Sequence, residues 1–141
     1  MGDVHASGNP HFHLDPHRLL QIAAALNKRL AEIDPTGTVY YQQRLNNFTT
    51  RWQQAITRWE AQAATLMEMR VVVHHKDWVY LFDWLGIKIV GALEPKPGLP
   101  TTAAHLAALK RTLVQNGASL IVHTAYQSDR AARKLSQMSG I

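Results

Sequence analysis

Histidine is the residue type whose number and spacing in this sequence suggest chemistry. The 141 residues include eight His and no Cys. The lack of Cys excludes disulfides, thiolate-held iron–sulfur clusters and Cys-based zinc modules. A metal ion bound to this chain is therefore held by imidazole, carboxylate or water, and the functional question is whether some of the histidines converge.

The histidines fall into two groups, separated by a long stretch without imidazole. The first group is His5, His11, His13 and His17, and the second is His74, His75, His105 and His123. His11 and His13 form an H-x-H pair, and in an extended segment both rings face one side, where they can share an ion. In a turn the two rings diverge, and the pair is then two surface histidines. The spacing alone leaves both interpretations open.

Four side chains with ligand chemistry lie at the ends of predicted parallel strands. His74 and His75 close the first strand, Glu94 closes the second, and His123 closes the third. In open α/β sheets, ligands bind beyond the carboxyl ends of the strands. Successive strand residues point to opposite faces, so His74 and His75 do not both face one site. His75 is the stronger candidate because it lies in the turn that opens the next helix.

The other histidines are assigned no ligand role. His5 and His17 are expected in solvent, and His105 is expected to pack within a helix rich in Ala and Leu. Asp15 is expected to cap a helix rather than to bind an ion, since Pro follows it at the first helical position.

The elements that position these side chains begin with two helices. Apolar residues three and four apart predict an amphipathic helix over 16–33, which the turn residues 34–37 end. A second apolar stripe predicts a helix of about 30 residues over 38–69. Its aromatic residues are expected to pack rather than to stack on a ligand.

The rest of the chain predicts an α/β fold. Strands at 70–74, 87–93 and 118–122 alternate with helices at 77–85, 101–115 and 128–138. This βαβαβα order predicts a small three-stranded parallel sheet with flanking helices, in a chain that is helix-rich overall. Three strands are few for such a sheet, so we expect a fragment of a larger, two-lobed protein.

Composition excludes several classes of protein. The hydrophobic fraction of 46% and the charged fraction of 18% are typical of a globular chain. No apolar run approaches the roughly 18 residues of a membrane span. The net charge of +5 is scattered, so no nucleic-acid partner is expected. There is no Gly-rich phosphate loop, no G-x-S-x-G and no H-E-x-x-H, and no catalytic residue is assigned.

The sequence resembles a known family. Residues 9–16, Asn-Pro-His-Phe-His-Leu-Asp-Pro, resemble the N-P-H-x-W-L-D-P element of the metal-binding solute receptors of bacterial ABC importers. Residues 72–81 are similar to that family's strand-end His element, and residues 91–95 and 125–127 to the stretches that follow. These zinc- and manganese-binding periplasmic proteins have two lobes joined by a rigid long helix.

The resemblance implies binding of a divalent transition metal ion and its delivery to the permease of an ABC importer. His11 from the first lobe and His75 from the second would hold one ion. Zinc is expected and manganese is the alternative, because imidazole suits zinc whereas manganese prefers more oxygen. His13 stands where the family has Trp and receives no ligand role, and Glu94 matches an element that lines the cleft.

The resemblance also implies the organisation of the chain. Residues 1–37 are expected to end the first lobe, 38–69 to form the linking helix, and 70–141 to form a second lobe that is incomplete at its C-terminus. The family's other ligands, an upstream His and a C-terminal carboxylate, are then missing, and the chain carries about half of the metal site. We expect the truncated surfaces to produce a homo-oligomer. The family is periplasmic, but this sequence shows no signal peptide.

Two other functions are compatible with the residues. One is a helical interaction or dimerisation module without metal function, in which the long helix is the working part. The other is a metal-dependent hydrolase, since His and carboxylate ligands with one open position are a catalytic pattern. The receptor interpretation predicts no enzymatic activity.

Overall fold

The structure is a computed structural model that describes residues 8–141. By internal contacts the chain divides into two units: Phe12–Thr65, and Leu66–Ile141 together with the described residues up to His11. His5, which was predicted to lie in solvent, is outside the described residues. The division at residues 37 and 69 concerns the lobes of a larger receptor and stays a prediction.

The unit Phe12–Thr65 is built from two helices, α1 (Pro16–Ile33) and α2 (Thr38–Ala63), joined by a 3₁₀ turn at Pro35–Gly37. The side chain of Asp15 accepts hydrogen bonds from the first backbone N–H groups of α1, as predicted for an N-cap. The aromatic side chains along α2 pack against one another. Trp52 lies with its ring centroid 5.3 Å from that of Phe48 and 5.2 Å from that of Trp59.

The long helix is shorter than predicted. α2 ends at Ala63 and a 3₁₀ turn, Ala64–Leu66, follows, whereas the apolar stripe predicted a helix through residue 69. Glu68 adopts a left-handed conformation with φ 65°, which turns the chain out of the helical path. Leu66 and Met69 fit the stripe by spacing but pack against the core of the sheet. Their apolar character therefore reflects packing on the sheet and not a continuation of the helix stripe.

The second unit contains the predicted three-stranded parallel sheet. Its strands are β1 (Arg70–Val73), β2 (Lys88–Ala92) and β3 (Leu120–Val122), in the order β2-β1-β3. The helices that follow these strands are α3 (Val79–Trp84), α4 (Ala103–Asn116) and α5 (Arg130–Ser139). A 3₁₀ turn, Lys76–Trp78, replaces the start of the helix predicted at 77–85. The α/β fold class is thus confirmed.

Two apolar clusters cover the opposite faces of the sheet. Val71 and Val73 pack with Phe82 of α3, whereas Val72 packs with residues of α4 and α5. All three valines are at most 1% exposed. Successive residues of a strand point to opposite faces, and both faces of a central parallel strand are covered. This burial fixes the carboxyl end of β1, where His74 and His75 follow. In the part of the chain that the structure describes, no helix has both the length and the apolar character to cross a membrane.

Candidate metal centre

The ladder of the sheet brings the predicted strand-end residues to one rim. The backbone N–H of His74 bonds to the carbonyl of Val122 at 2.8 Å, and the N–H of Glu94 bonds to the carbonyl of His74 at 3.1 Å. His75 comes one residue later, in an extended conformation that leads into the 3₁₀ turn. The backbone thus places His75 and Glu94 side by side at the end of the sheet.

Glu94 holds the ring of His75. Its Oε2 lies 2.6 Å from Nδ1 of His75, and the carboxylate accepts the bond, so Nδ1 carries the proton. Both side chains are largely buried, at 12% and 21% exposure, so water screens this pair little. A carboxylate on one ring nitrogen fixes the tautomer in which Nε2 has the lone pair that a metal ion needs.

Asn9 orients the ring of His11 in the same way that Glu94 orients the ring of His75, by accepting a hydrogen bond from Nδ1. The Oδ1 of Asn9 lies 2.5 Å from Nδ1 of His11 and also accepts the backbone N–H of His11 at 2.9 Å. The amide Nδ2 of Asn9 donates to the carbonyl of Lys76 at 2.8 Å, which fixes the orientation of the amide. Nδ1 of His11 is therefore the protonated nitrogen, and Nε2 carries its lone pair.

The same residue ties the N-P-H segment to the 3₁₀ turn after β1 and to α3. Besides the bond from Asn9 to Lys76, the hydroxyl of Tyr80 donates to the carbonyl of Asn9 at 2.9 Å. These two bonds join residues that are far apart in sequence. They explain how His11 reaches His75, with ring centroids 6.0 Å apart and ring planes at 75°.

A third potential ligand lies with the two histidines. His11, His75 and Asp77 each offer one ligand atom, and these atoms all lie within 4.8 Å of one another. Oδ1 of Asp77 is 3.5 Å from Nε2 of His75. From the sequence pattern, Asp77 is predicted only to begin a helix. The signal that was available is its position two residues after His75, in the first turn of the next element.

The remaining candidates lie outside this group. His74 approaches the other oxygen of Glu94, with Nε2 3.9 Å from Oε1. Nδ1 of His123 donates to the carbonyl of Thr124 at 3.0 Å, which orients the ring locally. Glu94 itself contacts the centre through His75 and is not a member of the group.

Two more histidines have contacts that suit the roles predicted for them. Nε2 of His105 donates to the carbonyl of Ala92 at 2.8 Å, so this ring packs α4 onto β2. His17 is half exposed and lies 3.4 Å from Glu60. His13 is exposed and is not part of the group of three.

The comparisons with known proteins give one family. A sequence model described as zinc-uptake complex component A, periplasmic (ZnuA), matches residues 2–141. No curated protein matches the chain significantly. A crystal structure of ZnuA is similar, with a TM-score of 0.82 and 21% identity, over 94% of this chain and 51% of that one.

Two further solved structures share the fold. The Zn(II)-bound form of an AdcAII mutant from Streptococcus pneumoniae has a TM-score of 0.76 and 20% identity, over 94% of this chain and 48% of its own. The SBP FpvC from Pseudomonas aeruginosa, in complex with Mn²⁺, has a TM-score of 0.76 and 19% identity, over 94% and 51%.

The structural matches and the sequence match support different conclusions. At these identities the solved structures establish the fold, and this chain spans about half their length. The family model, in contrast, covers nearly the whole chain, including both histidine elements. The chain therefore belongs to the ZnuA family of periplasmic zinc-uptake components.

Proposed function

We propose that this chain binds a divalent transition metal ion through His11 and His75 and serves its delivery to the permease of an ABC importer. The observation that carries the proposal is the convergence of these two rings, each with Nδ1 engaged by an oxygen acceptor. This pairing prepares Nε2 of both rings for one ion, as outer-sphere partners do in metal proteins.

Zinc is the preferred ion, and manganese is the alternative. Neutral imidazole suits zinc, whereas carboxylate and water suit manganese. Of the two solved structures described above, one holds Zn(II) and the other Mn²⁺, so both ions occur on this fold. Two imidazoles in one centre favour zinc. They also supply only half of the four ligands that zinc usually takes, and water or other groups complete the shell.

The rest of the proposal concerns the setting of the chain. We place it in the periplasm with its family, acting as a receptor and not as an enzyme. The metal ion is its cargo, and the permease is its partner. We further propose that the chain associates with itself, for which exposed apolar residues of α1 and α2 provide surface.

Isothermal titration with Zn²⁺ tests the proposal. The wild-type chain should bind one equivalent, and the double variant His11→Ala with His75→Ala should lose this binding. His17→Ala is the matched control, since this exposed ring lies on α1 and should leave the titration unchanged. Tight one-to-one binding that survives in the double variant would refute the assignment of His11 and His75 as ligands.

A further inference from the structure

We infer that Asp77 is a third ligand of the ion, adding one carboxylate oxygen to the two imidazoles. This inference rests on the proposed function, because it concerns the ion that His11 and His75 are proposed to bind. The three side chains offer ligand atoms within 4.8 Å of one another. The burial, hydrogen bonds and position of Asp77 distinguish a metal ligand from an ion-pair partner or a helix cap.

The burial of Asp77 is typical of a carboxylate that binds a cation. The residue is only 6% exposed, and its Oδ1 is buried with no hydrogen-bond partner. Within residues 8–141, no Lys or Arg forms a salt bridge with this carboxylate. A buried carboxylate is costly unless it is paired with a charge or coordinates a metal ion. The oxygen that lacks a partner is the one that faces His75.

The distance to His75 fits a shared ion better than a direct bond. Oδ1 of Asp77 and Nε2 of His75 are 3.5 Å apart, too long for a good hydrogen bond. Two ligand atoms that each lie ~2.0–2.1 Å from a tetrahedral zinc ion are separated by ~3.4 Å. The pair therefore already has the spacing of two ligands on one ion.

The other oxygen of Asp77 is held in place. Oδ2 accepts a hydrogen bond from Nε2 of Gln127 at 3.2 Å, and Oε1 of Gln127 accepts the N–H of Thr124 at 2.9 Å. This chain of bonds runs from the loop after β3 to the carboxylate. It orients Asp77 so that Oδ1 points to the centre, in the same way that Glu94 orients His75.

Helix capping does not account for the residue. Asp77 lies in the 3₁₀ turn before α3, where an acidic side chain often accepts backbone N–H groups. Its Oδ2 instead accepts from the side chain of Gln127, and its Oδ1 accepts from no group among the described residues. The carboxylate is therefore directed away from the helix start and towards His75.

Replacement of the carboxylate by a thiol gives a positive signal. The chain has no Cys, so Asp77→Cys introduces a single thiol. With Co²⁺ as the probe, a thiolate bound to the ion produces an intense near-ultraviolet charge-transfer band. We expect this band for Asp77→Cys and not for the control Asp83→Cys, which changes an exposed Asp of α3. A Co²⁺ complex of Asp77→Cys without the band would overturn the inference.

Affinity separates a ligand from an outer partner. Loss of an outer-sphere partner costs about 10- to 100-fold in metal affinity. For Asp77→Asn we expect a loss of zinc affinity of about 100-fold or more, and for Asp83→Asn no change. If Asp77→Asn loses clearly less than about 100-fold in affinity while His75→Ala does not bind, the proposed function stands and the inference fails. If wild type and His75→Ala bind alike, the proposed function fails.

A measurement on the wild-type chain needs no variant to fold. In ¹³C-labelled protein the carboxyl signal of Asp77 should shift when one equivalent of Zn²⁺ is added, and the signal of Asp83 should not. An unmoved Asp77 signal in a zinc-saturated sample would contradict direct coordination.

Discussion

At the scale of single residues, the acceptor on each imidazole decides which nitrogen can bind an ion. Glu94 accepts from Nδ1 of His75 at 2.6 Å, and Asn9 accepts from Nδ1 of His11 at 2.5 Å. One acceptor is a carboxylate and the other a neutral amide. A charged acceptor holds and polarises its imidazole more strongly than a neutral one, so His75 is expected to be the stronger ligand.

Substitution of Glu94 should weaken zinc binding without touching a ligand. Glu94→Gln keeps an acceptor for His75 but removes its charge, and we expect an affinity about 10- to 100-fold below wild type. Competition with a chromophoric chelator measures the change. Glu32→Gln, an exposed carboxylate of α1, is the control and should have no effect. Equal zinc affinities for Glu94→Gln and wild type would show that the charge of Glu94 on His75 does not contribute to zinc binding.

At the scale of elements, the N-P-H segment is positioned by hydrogen bonds to the 3₁₀ turn after β1 and to α3. Tyr80→Phe removes the bond from the Tyr80 hydroxyl to the carbonyl of Asn9. A hydrogen bond contributes about 0.5–1.5 kcal/mol, so we expect zinc affinity to fall about 2- to 10-fold. Tyr126→Phe is a matched control because Tyr126 is 83% exposed. An equally large loss for Tyr126→Phe would show that the effect does not come from the bond between Tyr80 and Asn9.

The turn between α1 and α2 should be sensitive to acid. The hydroxyls of Thr36 and then Tyr41 donate to Asp34 and hold the pKa of its carboxyl below the usual 3.8. A lowered folded-state pKa stabilises the fold above the unfolded pKa, and that stability is lost as pH falls through the folded pKa.

Urea unfolding of Asp34→Asn tests this. The variant should have a lower midpoint than wild type at neutral pH, and the difference should close at pH values well below 3.8. Glu32→Gln, in the last turn of α1, serves as the control without such a pH dependence. A difference between Asp34→Asn and wild type that persists in acid would refute the role of the charge.

The order of the elements was predictable because apolar spacing reports which face is buried. The three strands and the helices that follow them appear in the predicted order. The end of α2 was not predictable, since Leu66 and Met69 keep the helical spacing while they pack on the sheet. Likewise the sequence indicated His11 and His75, but the direction of Asp77 depends on a 3₁₀ turn whose geometry spacing does not reveal.

At the scale of the whole molecule, apolar side chains of the helical unit remain accessible. Leu26 and Ile33 of α1 are 56% and 65% exposed, and Val39 of α2 is 81% exposed. The chain spans about half the length of the structures it resembles. Because burial of such surface drives association, we expect a dimer or higher oligomer at high concentration.

Sedimentation velocity of wild type and Ile33→Ser tests the association. Loss of one buried Ile costs about 1.5 kcal/mol or more, so the variant should dissociate about tenfold more readily. Thr36→Ser, a mild change beside the same helix, is the control. A wild-type monomer that persists at high protein concentration would contradict this expectation.

Two histidines from distant parts of the sequence are proposed to bind one ion through Nε2. The most direct test is ¹⁵N NMR of the imidazole rings during titration with Zn²⁺. We predict that one equivalent shifts Nε2 of His11 and His75, with Nδ1 of both still protonated, and leaves His17, His105 and His123 unchanged. Zinc that shifts those three rings and leaves His11 and His75 unmoved would contradict the account.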